Sequence, residues 1–125
     1  MNATADQKSA FEARVARVCA VLPGAELNDP TDGRHDAWRV GDKMFAYVGM
    51  AGDGVSVKCA DIETSEMLIE AGVGVKAPYF HKSWVRLPST CDDAELSHRL
   101  VASYDLIRAK LPVAVRKALP SRKTP

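Results

Sequence analysis

The chain has 125 residues, of which 46% are hydrophobic and 26% charged, with a formal net charge of +1. At this length roughly two thirds of the unfolded surface can be buried, so one soluble globular domain is expected that needs neither a metal nor a disulfide to hold it. No stretch approaches the roughly 18–20 apolar residues of a membrane span, and the three cysteines are widely spaced, without CxxC or CxH pairing, which argues against a disulfide framework or a zinc site.

In chain order, Phe11, Val15, Val18, Cys19 and Leu22 recur at helical spacing behind Thr4 or Asp6, either of which offers an N-cap oxygen. This first helix stops at Leu22-Pro23-Gly24, and Ala25–Asn28 follows as a short edge strand. Asp29 to Asp36 is dense in turn formers and reads as a surface loop. Ala37–Val40 and Lys43–Met50 are β-prone runs joined by Gly41-Asp42, a pair suited to the positive φ of a hairpin turn. A second turn, Ala51 to Gly54, leads into Val55-Ser56-Val57-Lys58-Cys59, whose alternation sends Val55, Val57 and Cys59 to one face and Ser56 and Lys58 to the other. Asp61 suits the N-cap of a middle helix that runs to about Ala71, and Val73-Gly74-Val75 reads as flexible. Ser83–Leu87 is the next strand, ending before Pro88. Asp92 and Glu95 have capping-box spacing, and Leu96, Leu100, Tyr104, Ile107 and Leu111 form the apolar stripe of a long last helix. Pro112 ends or kinks it, leaving Val113–Leu119 as a short extension. The pattern predicts an α+β domain over residues 1–119: an antiparallel sheet of about five strands with a meander at its centre, packed by an N-terminal, a middle and a long C-terminal helix. Residues 120–125 are expected to form a flexible basic tail.

Charge is segregated along the chain. Residues 1–105 hold 11 Lys and Arg against all 16 acids, whereas residues 106–125 hold six cations and no acid. Such an end can engage a polyanion through counterion release, or simply complement a helix C-terminus. The N-terminus has no basic start followed by an apolar run, so a secretory signal is not expected, and the unpaired cysteines fit a reducing, cytoplasmic compartment.

Candidate chemistry is sparse. His35, His81 and His98 form no motif, and no metal site or cofactor is expected. Cys59 and His81 could be assembled in space as a nucleophile and its base, yet nothing local activates the thiol and Cys59 falls on the inward strand phase. Gly49, Gly52 and Gly54 precede a strand rather than a helix, so they are turn glycines and not a phosphate loop. With no complete catalytic set, an enzyme is not expected. Basic residues do concentrate on the predicted sheet and its approaches: Arg39, Lys43, Lys58, Lys76, Lys82 and Arg86, with aromatic residues between them. They are candidates for gripping a phosphate backbone, with the hairpin tips as wings, although Asp42 and Asp53 place negative charge at both tips. An alternative is a pocket near Trp38, Tyr79, His81 and Trp84 for a small anionic or aromatic ligand or a protein partner.

The Trp38–Ala46 hairpin, Val57-Lys58, the segment Pro78-Tyr79-Phe80-His81-Lys82-Ser83-Trp84-Val85 and Ser103-Tyr104-Asp105-Leu106 occur in an order that resembles the MmcQ/YjbR family of small bacterial proteins, from about Phe11 to Leu111. The resemblance implies a CyaY-like α+β fold and brings the description of a double-wing DNA-binding protein, with Lys43 on the first hairpin and Lys58 on the strand after the second. Kinship with CyaY also raises iron binding. The first helix offers only Asp6 and Glu12 among Lys8, Arg14 and Arg17, which argues against it.

Overall fold

A computed structural model describes residues 5–27, 36–49 and 51–120, and ten elements lie within them. Helix α1 spans Ala5–Cys19; strands β1 (Ala25–Leu27), β2 (Asp36–Val40), β3 (Lys43–Val48) and β4 (Gly54–Lys58) follow. Helix α2 (Ile62–Glu70) precedes β5 (Val75–Lys76) and β6 (Trp84–Pro88), and α3 (Asp93–Ala109) and α4 (Val113–Ala118) complete the chain. The Thr4 cap, the Asp29–His35 part of the loop with His35, and residues 121–125 of the tail fall outside what is described, whereas Asp6 lies inside α1 and so is not its N-cap.

The strands form one antiparallel sheet in the order β1-β2-β3-β4-β6-β5. The sixth strand is β5, formed where Val73-Gly74-Val75 read as flexible. Two residues are too few to show a period, and Gly74 is needed because a Cβ there would lie 2.8 Å from the Arg86 carbonyl oxygen. The β2–β3 turn is as expected, with Gly41 and Asp42 both at positive φ (54° and 66°). A bulge between Trp38 and Arg39 then shifts the β2–β3 register, so that Trp38 faces Ala46 while Arg39 faces Met44.

One face of the sheet carries the core. Val48, Val55 and Leu87 are cross-strand neighbours, as are Ala46, Val57 and Val85, and all are fully buried. Helix α3 crosses β3 and β4 and lies against α1, burying Leu96, Leu100, Tyr104 and Ile107 of the predicted stripe. Phe11, Val15 and Cys19 of α1 enter the same cluster. Both predicted caps form: the Asp61 carboxylate accepts from the Thr64 N–H and the Asp92 carboxylate from the Glu95 N–H, each at 2.7 Å.

Polar bonds lock α1 and α3 in place. The Arg14 guanidinium of α1 donates to the carbonyls of Ser89 and Cys91 at 2.7 Å and to the Asp93 carboxylate at 3.0 Å, holding the approach to α3. Tyr104 meets Phe45 edge-on at 5.4 Å and donates its hydroxyl to the Pro23 carbonyl at 2.6 Å. The fully buried Ser103 hydroxyl donates to the Phe45 carbonyl at 2.6 Å and accepts from the Lys58 N–H at 2.8 Å, joining α3 to β3 and to the end of β4. Because Ser103→Ala leaves both backbone groups unpaired, it should lower unfolding free energy by about 1–3 kcal/mol in urea denaturation. Asp92→Ala, which removes a solvent-exposed cap, should cost about 1 kcal/mol.

Candidate anion-binding cavity and open sheet face

The six candidate cations do not converge. Arg39 is exposed, donates to the Asp42 carbonyl at 3.3 Å and stands opposite Glu26 of β1. Arg86 of β6 is ion-paired with Asp53 of the β3–β4 turn. Three inter-strand steps, about 14 Å, separate β2 from β6. Lys43, Lys76 and Lys82 are exposed and make no ion pair among the described residues. Lys58 is half-buried and turned into hydrogen bonds of its own.

Nor are the four pocket candidates gathered in one place among the described residues. Trp38 is buried in the core, where its indole N–H has no partner among the described residues, because the alternation of β2 turns it inward and helices cover that face. Tyr79 is fully exposed at φ 69°. Trp84 stacks on Phe80 at 4.6 Å, and Phe80 in turn leans on Tyr47 at 5.6 Å, over the face that the helices leave open. His81 lines a different cavity, of about 590 Å³, with Lys58, Ser83, Asp61 and Lys110.

That cavity lies where β4 ends, β6 and α2 begin and α3 terminates at Lys110. Register puts Lys58 opposite Trp84, which brings Ser83, one residue earlier, beside the lysine. The Lys58 ammonium donates to the Ser83 hydroxyl at 2.6 Å and to the Cys59 carbonyl at 3.0 Å. The Ser83 hydroxyl lies 2.8 Å from His81 Nδ1, which also accepts the Ser83 backbone N–H at 3.1 Å. A nitrogen that accepts a backbone N–H carries no proton, so the neutral His81 holds its proton on Nε2. The chain of donation therefore runs from Lys58 through Ser83 to His81 Nδ1, leaving the Nε2–H for another acceptor.

Burial, and then the charge of Lys110, hold the Lys58 pKa below the ordinary lysine value. The Lys110 ammonium has neither an ion pair nor a hydrogen-bond partner among the described residues. Two acids also border the cavity. Bonds from the Thr64 hydroxyl and N–H hold the Asp61 carboxyl below its usual value, and Glu63 is exposed to solvent. Cys59 is buried with its thiol pushed up by burial, and His81 bonds Ser83 rather than Cys59. His98 is exposed, and among the described residues no group of three His, Cys, Asp or Glu side chains gathers around a common point. Lys110 is absent from the sequence candidates because its role arises only in space: it reads as one more cation at a helix end, and nothing in its neighbourhood along the chain points to Lys58.

An antiparallel six-stranded sheet carrying α1 and α3 on one face, with a polar cavity at its rim, defines a small α+β protein. Residues 20–106 match the family model described as YjbR, and the chain belongs to that family. The fold is similar to the crystal structure of Deinococcus radiodurans protein DR2400, whose family domain is DUF419: the TM-score is 0.72 at 25% identity, covering 83% of each chain. No functionally curated protein matches the chain. No helix among the described residues is long and apolar enough to cross a membrane.

The sign of the Lys58 shift has two measurable consequences. Removing the neighbouring charge in Lys110→Gln should raise the Lys58 pKa, as read by NMR titration of its side chain, while burial still keeps it below the usual value of about 10.4. Because the folded pKa lies below the unfolded one, the Lys58 contribution to stability should increase as pH rises through the window between them, and be lost as pH falls through the folded value.

Proposed function

We propose that the protein is a non-catalytic binding module for a small anionic ligand, one carrying a phosphate or carboxylate group, held at the Lys58–His81–Ser83–Lys110 cavity. The observation that carries this reading is the directional chain from Lys58 through Ser83 to His81 Nδ1, which leaves the His81 Nε2–H as a donor on a residue that lines the same cavity as Lys58 and Lys110, neither of which has an ion pair among the described residues. An anion accepts from all three donors, and bonds to charged donors are about twice as strong as neutral ones. It also relieves the repulsion between Lys58 and Lys110. The Ser83 hydroxyl is engaged on both sides and nearly buried, which favours a positioning role over that of a nucleophile. A cytoplasmic setting fits the three cysteines, all of them free thiols.

A second function, DNA binding, is favoured by one observation: Lys43 on the first hairpin and Lys82 before β6 are exposed, without ion pairs among the described residues. Against it stand the Asp53 charge on Arg86 and the distance between β2 and β6.

Titration with inorganic phosphate by calorimetry separates the two. For the anion-binding module, phosphate binds, and Lys58→Gln and Lys110→Gln each weaken binding by about tenfold or more, equivalent to about 1.4 kcal/mol. Unchanged affinity in both variants would exclude the cavity. For the DNA reading, duplex binding falls steeply with salt and is lost on joint charge reversal of Arg39, Lys43 and Lys58.

A further inference from the structure

A second cleft, of about 280 Å³, opens on the sheet face that the helices leave uncovered, between the β3–β4 turn and the segment before β6. Its size lies just below the ~300–1,000 Å³ of sites for drug-sized ligands, which suits a single ring system. Tyr47 and Phe80 supply aromatic walls, and Trp84 stacks behind Phe80 with the rings 25° apart.

Two features mark this cleft. The first is Ser56, which is only 4% exposed, lines the cleft and has no hydrogen-bond partner among the described residues. The other buried serines (Ser65, Ser83 and Ser103) all bond to protein groups, whereas the Ser56 hydroxyl is left open to the cleft, where solvent or a ligand can meet it. The second is Tyr79. The Phe80 N–H bonds back to the Ala77 carbonyl at 3.4 Å, closing a turn in which Tyr79 takes the third position at φ 69°. Glycine is favoured there, and a bulky residue is strained. Its ring nevertheless stands wholly in solvent at the lip of the cleft, where no core packing offsets the strain.

Opposite the aromatic walls the cleft presents a mixed polar edge. The Arg86 guanidinium and the Ser56 hydroxyl donate, while the Asp53 carboxylate and the Ser56 oxygen accept. A purely hydrocarbon ring would leave Ser56 unpaired, and a simple anion would meet the Asp53 carboxylate. A planar heteroaromatic ring with donors and acceptors in its own plane satisfies both conditions.

We propose that this cleft is a nucleobase-binding site, in which a purine or pyrimidine ring lies against Tyr79 and Phe80 with its polar edge on Ser56, Arg86 and Asp53. The Tyr79 backbone strain is then retained because the exposed ring gains its contact only when the ligand is seated. Since Arg86 is already neutralised by Asp53, the site recognises the base rather than a phosphate backbone, which favours a free nucleoside over a strand.

Calorimetric titration of the full chain with adenosine and with cytidine tests this, with thermal unfolding measured on the same variants. At least one nucleoside should bind. Tyr79→Gly should raise the unfolding midpoint by a few degrees, because glycine adopts this φ freely, and yet weaken nucleoside binding about tenfold or more. A tyrosine of merely structural use would not separate stability from binding in this direction. Ser56→Ala should fold normally and lose affinity severalfold. An unpaired hexanucleotide distinguishes the source of the base: affinity equal to that of the nucleoside assigns a free ligand, and affinity that grows with length and falls with salt assigns a strand. Failure of both nucleosides and the hexanucleotide to bind at millimolar concentration overturns the proposal, as does affinity unaltered in both variants. Inorganic phosphate, titrated alongside, reports on the separate cationic cavity, so either site can fail without the other.

Discussion

Lys58 is held at both ends, and the rest of the molecule is arranged around that fact. Its backbone N–H is taken by the buried Ser103 hydroxyl of α3, and its ammonium by Ser83 at the start of β6. Ser103 also takes up the Phe45 carbonyl, so a single hydroxyl sets α3 over β3 and β4 together. A lysine so fixed loses little rotamer freedom when it meets a ligand, much of its ordering cost having been met on folding. The same placement keeps it short of solvent and close to Lys110, and these two causes depress its pKa. Fold and site are thus coupled through one residue.

The two recesses differ in chemistry although the segment from Ala77 to Ser83 contributes to both. Pro78 to Phe80 border the sheet-face cleft, and His81 and Ser83 border the cavity at the rim. At the rim, the two ammonium groups of Lys58 and Lys110 stand with the acids Asp61 and Glu63 at the border, and the hydrogen bonds from Lys58 to Ser83 and on to His81 are directional. On the sheet face, the one strong charge, Arg86, is cancelled by Asp53, and the walls are aromatic. This division explains why a uniform basic face does not form. The acid at the second hairpin tip, which looks like an obstacle to a DNA-binding wing, neutralises the nearest arginine instead.

Much of the fold was legible in the sequence because it rests on local chemistry. Gly41-Asp42 dictates a turn by its positive φ, Asp61 and Asp92 cap helices three residues ahead of them, and the α3 stripe reports its own buried face. The site was legible only in part, because its decisive relations are long-range. Lys58 and His81 were identifiable as candidates. The bonds from Lys58 to Ser83 and from Ser103 to Phe45, like the Arg86–Asp53 pair, span 25, 58 and 33 positions, and no periodicity encodes them. Trp38 failed as a pocket residue for a related reason: strand alternation assigns it a face, but only the packed helices decide which face is buried. Tyr79 carried a local signal after all, since Ala77-Pro78-Tyr79-Phe80 places proline where a turn begins and a bulky ring where glycine is favoured.

The central claim, that Lys58 is poised to receive an anion, is tested most directly by following its side-chain resonance through a pH titration with and without saturating inorganic phosphate. An anion seated between Lys58, Lys110 and the His81 Nε2–H favours the charged ammonium, so the Lys58 pKa should rise on saturation, reversing the depression caused by burial and by Lys110. An identical titration curve in the presence and absence of phosphate would contradict the account.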